Sequence, residues 1–147
     1  MNRHESEIRN WMTAPPLTVQ PQTSLLDAYN YMTENDVRRL PVADKDGFLV
    51  GIITRSDILR TVPRFFQNED LATDLLLQDQ RVQQVMTTDP LIIGPDDTVQ
   101  DAAEIMLEYQ VSGLPVVAEG HIVGIITESD IFRLVVKSWG ELITSGR

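Results

Sequence analysis

A nine-residue stretch that begins at Val50 recurs from Val123 with a single change, Arg55 to Glu128. It reads Val-Gly-Ile-Ile-Thr-Arg-Ser-Asp-Ile in the first copy. A short apolar run that opens with glycine favours a buried strand, and Thr-x-x-Asp then leads into a helical apolar pattern. The hydroxyl and the carboxylate can cap the unpaired N–H groups of that helix, and they can equally bind a ligand.

The recurrence extends well beyond these residues. When Met12 is placed on Met86, glycine, proline, aspartate and apolar residues recur in step as far as Arg60 and Arg133. Such a match indicates an internal repeat and not a chance likeness of two secondary structures. The chain divides into an N-terminal extension (1–11), repeat 1 (12–60), a helical linker (61–85), repeat 2 (86–134) and a C-terminal tail (135–147).

The sequences of the two repeats predict the same elements, and those of repeat 1 serve as the example. They are an extended segment at 16–19, a helix capped by Ser24-x-x-Asp27, strands at 40–43 and 48–53, and a second helix after Thr54. A β-α-β-β-α unit of about 50 residues is too small to bury a stable core alone. We therefore expect an α/β fold in which two copies face each other.

Three segments outside the repeats carry weaker signals. Residues 3–11 suggest a short helix that ends near Trp11. The linker is apolar at Phe65, Phe66, Leu71, Leu75, Leu76 and Leu77 and has almost no glycine or serine, which favours a helix. The tail is predicted to stay helical to about Ser138 and to fray after Gly140.

Composition excludes several classes of function. The net charge of −10 disfavours nucleic acid and anionic membranes as partners, because both require a basic surface. The absence of cysteine excludes disulfides and thiolate sites. No apolar run reaches the roughly 18 residues of a membrane helix, and the polar start lacks the core of a signal peptide, so we expect a soluble, cytoplasmic protein. No catalytic residue set or metal-ligand spacing is present, so we expect no enzyme activity and no catalytic cofactor.

The repeated motifs resemble a known family. They are Val37-x-x-Leu40-Pro41-Val42 with Gly51-Ile52-Ile53-Thr54-x-x-Asp57, and their counterparts Val111-x-x-Leu114-Pro115-Val116 with Gly124-Ile125-Ile126-Thr127-x-x-Asp130. Residues 12 to about 134 thus resemble a pair of cystathionine-β-synthase (CBS) domains, together called a Bateman module. The resemblance implies two βαββα repeats packed about a pseudo-twofold axis, which bind adenosine-containing ligands in the cleft between them.

The resemblance also implies roles for particular residues. Asp57 would bind the ribose hydroxyls and Thr54 the ribose or a phosphate, with Thr127 and Asp130 as their counterparts. The alternative for all four is helix capping alone. The adenine base would lie against Leu91 and Ile92 in the first site, and against Thr18 and Val19 in the second. The alternative is that these are ordinary core residues.

Phosphate binding is assigned by the resemblance to Arg38 and Arg39, whose guanidinium groups suit phosphate oxygens. The alternative is a solvated pair that neutralises Glu34 and Asp36. Repeat 2 has Ser112 and Gly113 instead, and between Met86 and Phe132 it has nine acidic residues and no Lys or Arg. We therefore expect unequal sites, with the Thr54–Asp57 site stronger and helped by Arg55 or a partner subunit.

The function predicted from these features is sensing of an adenine nucleotide (AMP, ADP or ATP). Mg²⁺ on the bound phosphates is left open. S-adenosylmethionine, NAD and a cyclic dinucleotide stay open as ligands, as does a dimerisation scaffold with degenerate sites. The resemblance favours a homodimer paired through the linker and the second helices, including Ile58, Leu59, Ile131 and Phe132. An effector protein that reads the signal is also left open.

Overall fold

The computed structural model describes residues 2–64 and 70–145, so the predicted linker positions Phe65 and Phe66 lie outside the described residues. The helices are α1 (Leu25–Glu34), α2 (Arg55–Leu59), α3 (Asp70–Gln78), α4 (Val99–Tyr109) and α5 (Glu128–Ser145). The strands are β1 (Arg39–Ala43), β2 (Leu49–Thr54), β3 (Gly113–Ala118) and β4 (His121–Thr127). The α/β class with two repeats, each containing a small antiparallel sheet, is confirmed.

The chain forms two compact units. Unit 1 contains Met1–Pro16 and Leu91–Arg147, and unit 2 contains Leu17–Pro90. These units do not coincide with the sequence repeats, because the opening residues of each repeat belong to the unit that holds the body of the other.

The sheet of unit 2 is an antiparallel hairpin in which Arg39 of β1 lies opposite Thr54 of β2. The segment predicted to be extended at 16–19 joins it only through Val19, which forms a parallel bridge to Val42. Val19 donates its N–H to the carbonyl of Pro41 at 3.1 Å and accepts from the N–H of Ala43 at 2.9 Å. The extended segment predicted at 16–19 therefore does not form a full strand, and it pairs with the sheet through a single β-bridge.

The sheet of unit 1 repeats this arrangement. Gly113 of β3 lies opposite Thr127 of β4, and Ile93 forms the parallel bridge to Val116. On the other side of the hairpin, Thr13 bridges Ile125 with backbone bonds of 2.8 and 3.0 Å. Because Thr13 precedes the body of repeat 1, the edge of this sheet is supplied by a segment distant in sequence.

The predicted helix caps are present at the starts of α1 and α4. The Ser24 hydroxyl accepts the N–H of Asp27 at 3.0 Å. At α4 the bonds are reciprocal, since the Thr98 hydroxyl accepts the N–H of Asp101 at 3.1 Å and the N–H of Thr98 donates to the Asp101 carboxylate at 3.0 Å. Hydrogen bonds from the backbone and then the side chain of Thr98 lower the pKa of Asp101 below 3.8.

The N-terminal segment docks onto the turn that precedes α4. The N–H of Ile8 donates to the carbonyl of Asp97 at 2.8 Å, and the N–H of Val99 donates to the carbonyl of Ser6 at 2.8 Å. Ile8 opens a 3₁₀ helix that ends at Asn10, and its side chain is fully buried in the core of unit 1. The short helix predicted for residues 3–11 is therefore a three-residue 3₁₀ turn.

Residues ahead of repeat 2 dock in the same way within unit 2. The N–H of Val82 donates to the carbonyl of Thr23 at 2.8 Å, and the N–H of Leu25 donates to that of Gln80 at 2.9 Å. Val82 opens another 3₁₀ helix, which ends at Gln84, and is also fully buried. The structural repeat therefore begins near Ser6 and Gln80, earlier than the similarity that starts at Met12 and Met86.

Two further expectations are decided by the helices. The linker contains the predicted helix as α3, whose Leu77 is buried in the core of unit 2. The expectation that the tail frays after Gly140 was wrong, because α5 continues through Gly140 to Ser145. An isolated glycine is tolerated inside a helix at a cost of about 1 kcal/mol, so it is a weak stop signal.

Candidate functional site

The Thr54–Asp57 pair lies where β2 runs into α2. The Thr54 hydroxyl accepts the N–H of Asp57 at 3.1 Å, and the Asp57 carboxylate accepts the N–H of Thr54 at 2.9 Å. The second carboxylate oxygen pairs with Arg60, one helical turn later. Asp57 keeps 12% of its side chain exposed, so the capping interaction is present and the carboxylate is still at the surface.

Basic residues gather at this end of the hairpin. Arg39 opens β1 directly opposite Thr54, and the carbonyl of Arg38 accepts the N–H of Arg55 at 2.8 Å. Arg38 and Arg55 are exposed, and Arg39 is partly exposed. The backbone therefore brings the three arginines to the Thr54 end of the sheet.

Two contacts at this end were not predicted. The Arg55 guanidinium donates to the Tyr29 hydroxyl at 3.1 Å and lies 5.4 Å from the centre of the Tyr29 ring. Tyr29 is on α1, so this cation–π contact fixes Arg55 against a neighbouring helix. The Asp57–Arg60 pair had a sequence signal, because Asp-x-x-Arg recurs at Asp130 and such residues share one helix face.

The Thr127–Asp130 pair of unit 1 has a different hydrogen-bond pattern. The Asp130 carboxylate accepts both the N–H of Thr127 at 2.8 Å and its hydroxyl at 3.0 Å. Its other oxygen pairs with Arg133. The Asp130 side chain is 0% exposed. Both of its oxygens are thus engaged inside the protein.

At the Thr127 end of the hairpin, the positions that correspond to Arg38, Arg39 and Arg55 are neutral or acidic. Gly113 lies opposite Thr127 in the sheet, where Arg39 lies opposite Thr54. The carbonyl of Ser112 accepts the N–H of Glu128 at 3.1 Å. The structure therefore places the predicted charge difference between the repeats at equivalent positions.

The four candidates for the adenine base differ in exposure. In unit 1, Leu91 is 38% and Ile92 is 48% exposed, and both lie beside the buried Ile93. In unit 2, Thr18 is partly buried, whereas Val19 is 8% exposed and belongs to the core cluster. Leu91 and Ile92 thus offer apolar surface to a ligand, while Val19 is already packed.

Neither a metal centre nor a membrane span is found in the part of the chain that the structure describes. Residues 2–64 and 70–145 contain no group of three or more His, Asp or Glu side chains placed to bind a metal ion. Within the same ranges, every helix is too short or too polar to cross a membrane.

Comparison with known proteins identifies the family. The CBS domain model matches residues 6–64 and 82–137, so this chain belongs to the CBS domain family and contains two such domains. The first match starts at the docking segment around Ile8 rather than at Met12, in agreement with the start of the structural repeat.

Relatives include chains of similar length and parts of larger enzymes. A CBS domain-containing protein of Dictyostelium discoideum is 35% identical over 134 residues, which cover 88% of this chain and 91% of the relative. An inosine-5′-monophosphate dehydrogenase of Korarchaeum cryptofilum is 37% identical over 117 residues, 79% of this chain but only 21% of the enzyme.

Solved structures of CBS pairs share the fold. CBSX2 from Arabidopsis thaliana superposes with a TM-score of 0.78 at 30% identity, over 90% of this chain and 95% of that one. CBSX2 has also been solved in complex with AMP. The CBS domain pair of protein MJ0100, in complex with 5-methylthioadenosine and S-adenosyl-L-methionine, has a TM-score of 0.73 at 29% identity, over 90% of this chain and 98% of that one.

Proposed function

We propose that this CBS pair is a regulatory module that senses an adenine nucleotide, AMP, ADP or ATP, and has no catalytic role of its own. The observation that carries the proposal is the backbone placement of Arg38, Arg39 and Arg55 at the end of the hairpin where Thr54 and Asp57 form their reciprocal hydrogen bonds. The adenosine-containing ligands of CBSX2 and MJ0100 support the ligand class.

The chemistry of this group matches the parts of a nucleotide. A carboxylate accepts hydrogen bonds from the two ribose hydroxyls, and for Asp57 the oxygen now paired with Arg60 would serve. Guanidinium groups offer parallel donors to phosphate oxygens, the role proposed for Arg38 and Arg39. The exposed side chains of Leu91 and Ile92 are the proposed surface for the base. Thr18, Val19, Thr127 and Asp130 hold the equivalent positions in the other repeat, and the number of nucleotides bound per chain decides whether a second ligand binds there.

Replacing Asp57 with Ala tests the ribose contact. Loss of hydrogen bonds to a charged acceptor should weaken AMP or ADP binding by about 1.5–3 kcal/mol, measured by isothermal titration calorimetry. Loss of the capping interaction should cost about 1 kcal/mol of folding stability. Asp101→Ala is the matched control, because it removes an equivalent capping carboxylate from α4. If Asp57→Ala lowers stability as Asp101→Ala does and leaves affinity unchanged, Asp57 is only a cap.

A double substitution, Arg38→Ala with Arg39→Ala, tests the phosphate contact. ADP and ATP should lose affinity, whereas adenosine should not, because it has no phosphate. Affinity of the unsubstituted protein for ADP should also fall with added salt, as expected for partly exposed ion pairs. Lys45→Ala is the control, since it removes an exposed positive charge from a turn of the same unit. Equal losses for ADP and adenosine would argue against phosphate binding by these arginines.

A thermal-shift panel separates the sensor from a scaffold with degenerate sites. A ligand that binds only the folded state raises the melting temperature. The panel contains AMP, ADP and ATP with and without Mg²⁺, and S-adenosylmethionine, NAD and a cyclic dinucleotide. If no compound at millimolar concentration shifts the melting temperature, the scaffold becomes the better description.

We also propose a homodimer in the cytoplasm whose state is read by an effector protein. Three exposed side chains, Phe132 (65%), Val136 (66%) and Trp139 (64%), recur along one face of α5. Such a face suits an isologous contact with a second copy. The expectation that Ile58 takes part is corrected, because Ile58 is fully buried in the core of unit 2. Sedimentation should give a dimer that Trp139→Ser weakens, and a monomer at micromolar concentration would contradict it.

A further inference from the structure

We propose that the Asp130 network, defined as Thr127, Asp130 and Arg133, is a structural element and not a ligand site, so that each chain binds one nucleotide. The single site is then the one that contains Asp57. The inference about stoichiometry rests on the proposed function, whereas the structural role of Asp130 does not.

The first argument is the hydrogen bonding of Asp130. A carboxylate offers about four lone-pair directions. Asp130 uses three, for the N–H of Thr127, the hydroxyl of Thr127 and the guanidinium of Arg133. In the other repeat the Thr54 hydroxyl accepts from the N–H of Asp57 and is not committed to the carboxylate. The carboxylate of Asp57 therefore accepts two hydrogen bonds within the protein, one fewer than the carboxylate of Asp130.

The second argument is burial. Among the residues that the structure describes, Asp130 is the only charged side chain that is buried, whereas Asp57 is 12% exposed. A buried carboxylate is stable only when it is paired and hydrogen-bonded. Withdrawing Asp130 from Arg133, whose own side chain is 62% exposed, would leave a fully buried carboxylate without its charged partner. Asp57 pairs with Arg60 nearer to the surface, where water can replace the lost contact.

The third argument is the charge around each pair. The positions equivalent to Arg38, Arg39 and Arg55 are Ser112, Gly113 and Glu128. Glu128 follows Thr127 directly and is exposed, so its carboxylate repels a phosphate brought to Thr127. Hydrogen bonding, burial and charge thus all favour ligand binding at Asp57 and disfavour it at Asp130.

Two isosteric substitutions, Asp57→Asn and Asp130→Asn, test this inference on the full chain with ADP as the probe. Calorimetry of the unsubstituted protein should give one ADP per chain. Asp130→Asn should leave affinity and stoichiometry unchanged and lower the melting temperature by about 5–10 °C, because the buried side chain loses its ion pair with Arg133 and part of its hydrogen bonding. Asp57→Asn should weaken ADP binding at least about tenfold, with a smaller change in melting temperature.

Two ADP per chain, or a loss of affinity or stoichiometry in Asp130→Asn, would overturn the inference. If Asp130→Asn does not fold, Thr127→Val takes its place, since it removes only the hydroxyl donor and keeps the side-chain shape. Thr127→Val should then lower the melting temperature without changing ADP binding. If the unsubstituted protein binds none of AMP, ADP and ATP, the proposed function and the stoichiometry fail together. In that case the structural role of Asp130 is still tested by the melting temperatures, because Asp130→Asn should melt at a lower temperature than Asp57→Asn.

Discussion

Ile8→Ala should loosen the unit built around repeat 2, although Ile8 precedes repeat 1 in the sequence. The Ile8 side chain is 0% exposed and belongs to the core cluster that contains Leu114, Val116 and Ile126. Truncation of a fully buried isoleucine to alanine costs about 2–5 kcal/mol, from lost transfer free energy and the cavity left behind. We expect about 3 kcal/mol here, because the backbone of Ile8 stays held by its bond to Asp97.

Hydrogen exchange resolves where that stability is lost. In unit 1 the N–H of Ile125 donates to Thr13 at 3.0 Å, and in unit 2 the N–H of Ile52 donates to Thr87 at 2.9 Å. A loss of about 3 kcal/mol corresponds to roughly a hundredfold drop in protection, at about 1.4 kcal/mol per tenfold. Peptides from β3 and β4 should show this drop, and peptides from β1 and β2 a smaller one, provided that the units open separately.

Val82→Ala is the matched control, because Val82 fills the equivalent position in unit 2 and is also 0% exposed. It should cost about 1.5–3 kcal/mol and give the reverse pattern, with faster exchange in β1 and β2. The reasoning would be refuted if Ile8→Ala deprotected β1 and β2 before β3 and β4. Equal loss in both hairpins would instead indicate that the units unfold together.

Two further predictions concern stability. Asp101→Asn should cost about 1 kcal/mol at pH 7. The pKa of Asp101 is lowered in the folded state, so its contribution to the free energy of unfolding is present above 3.8 and is lost as the pH falls through the folded value. In urea unfolding, the difference in free energy of unfolding between Asp101→Asn and the unsubstituted protein should therefore shrink at acidic pH. A difference that stays constant with pH would contradict the argument from the pKa. Gly51→Ala should destabilise more than Gly124→Ala in thermal melts, by about 1–3 kcal/mol against a smaller loss. An alanine Cβ would lie 2.8 Å from the backbone carbonyl of Thr87 in the first case and 3.1 Å from that of Thr13 in the second. It would also lie 2.8 Å from the sulfur of Met86 and 2.6 Å from that of Met12, but a methionine side chain can move more easily than the backbone, so a larger loss for Gly124→Ala would contradict this ranking.

The elements that the sequence predicted well are those with local signals. β1 and β2 begin and end within one residue of the predicted 40–43 and 48–53. The turn between them has Gly47 at φ 87°, a left-handed conformation that favours glycine. Capping residues predicted the starts of α1 and α4, because the hydrogen bonds involved join residues three apart.

The candidate site was predicted only in part. The proximity of Arg39 to Thr54 follows from hairpin register, which the apolar pattern specifies. The burial of Asp130 could not be predicted, because Asp57 and Asp130 stand in nearly identical motifs. Burial depends on what packs around each carboxylate, and that is a tertiary property.

The docking segments escaped prediction for a different reason. Ile8 and Val82 hold equivalent places, but the residues after them, Arg9 and Gln83, have little in common. Both segments are held by backbone hydrogen bonds to the turns before α4 and α1. Almost any residue type can form backbone hydrogen bonds, so these bonds do not restrict the sequence. The only sequence signal of each docking segment is the single apolar residue, Ile8 or Val82.

The glycines and methionines of the repeat were visible in the sequence, and the structure supplies the physical reason for their recurrence. Gly51 leaves room for Met86 and Thr87, and an added Cβ would lie 2.8 Å from the Met86 sulfur. Gly124 leaves room for Met12 and Thr13 in the same way, with the sulfur at 2.6 Å. Each glycine therefore accommodates the methionine that opens the other repeat. The two residue types recur in step because they are contact partners within each unit.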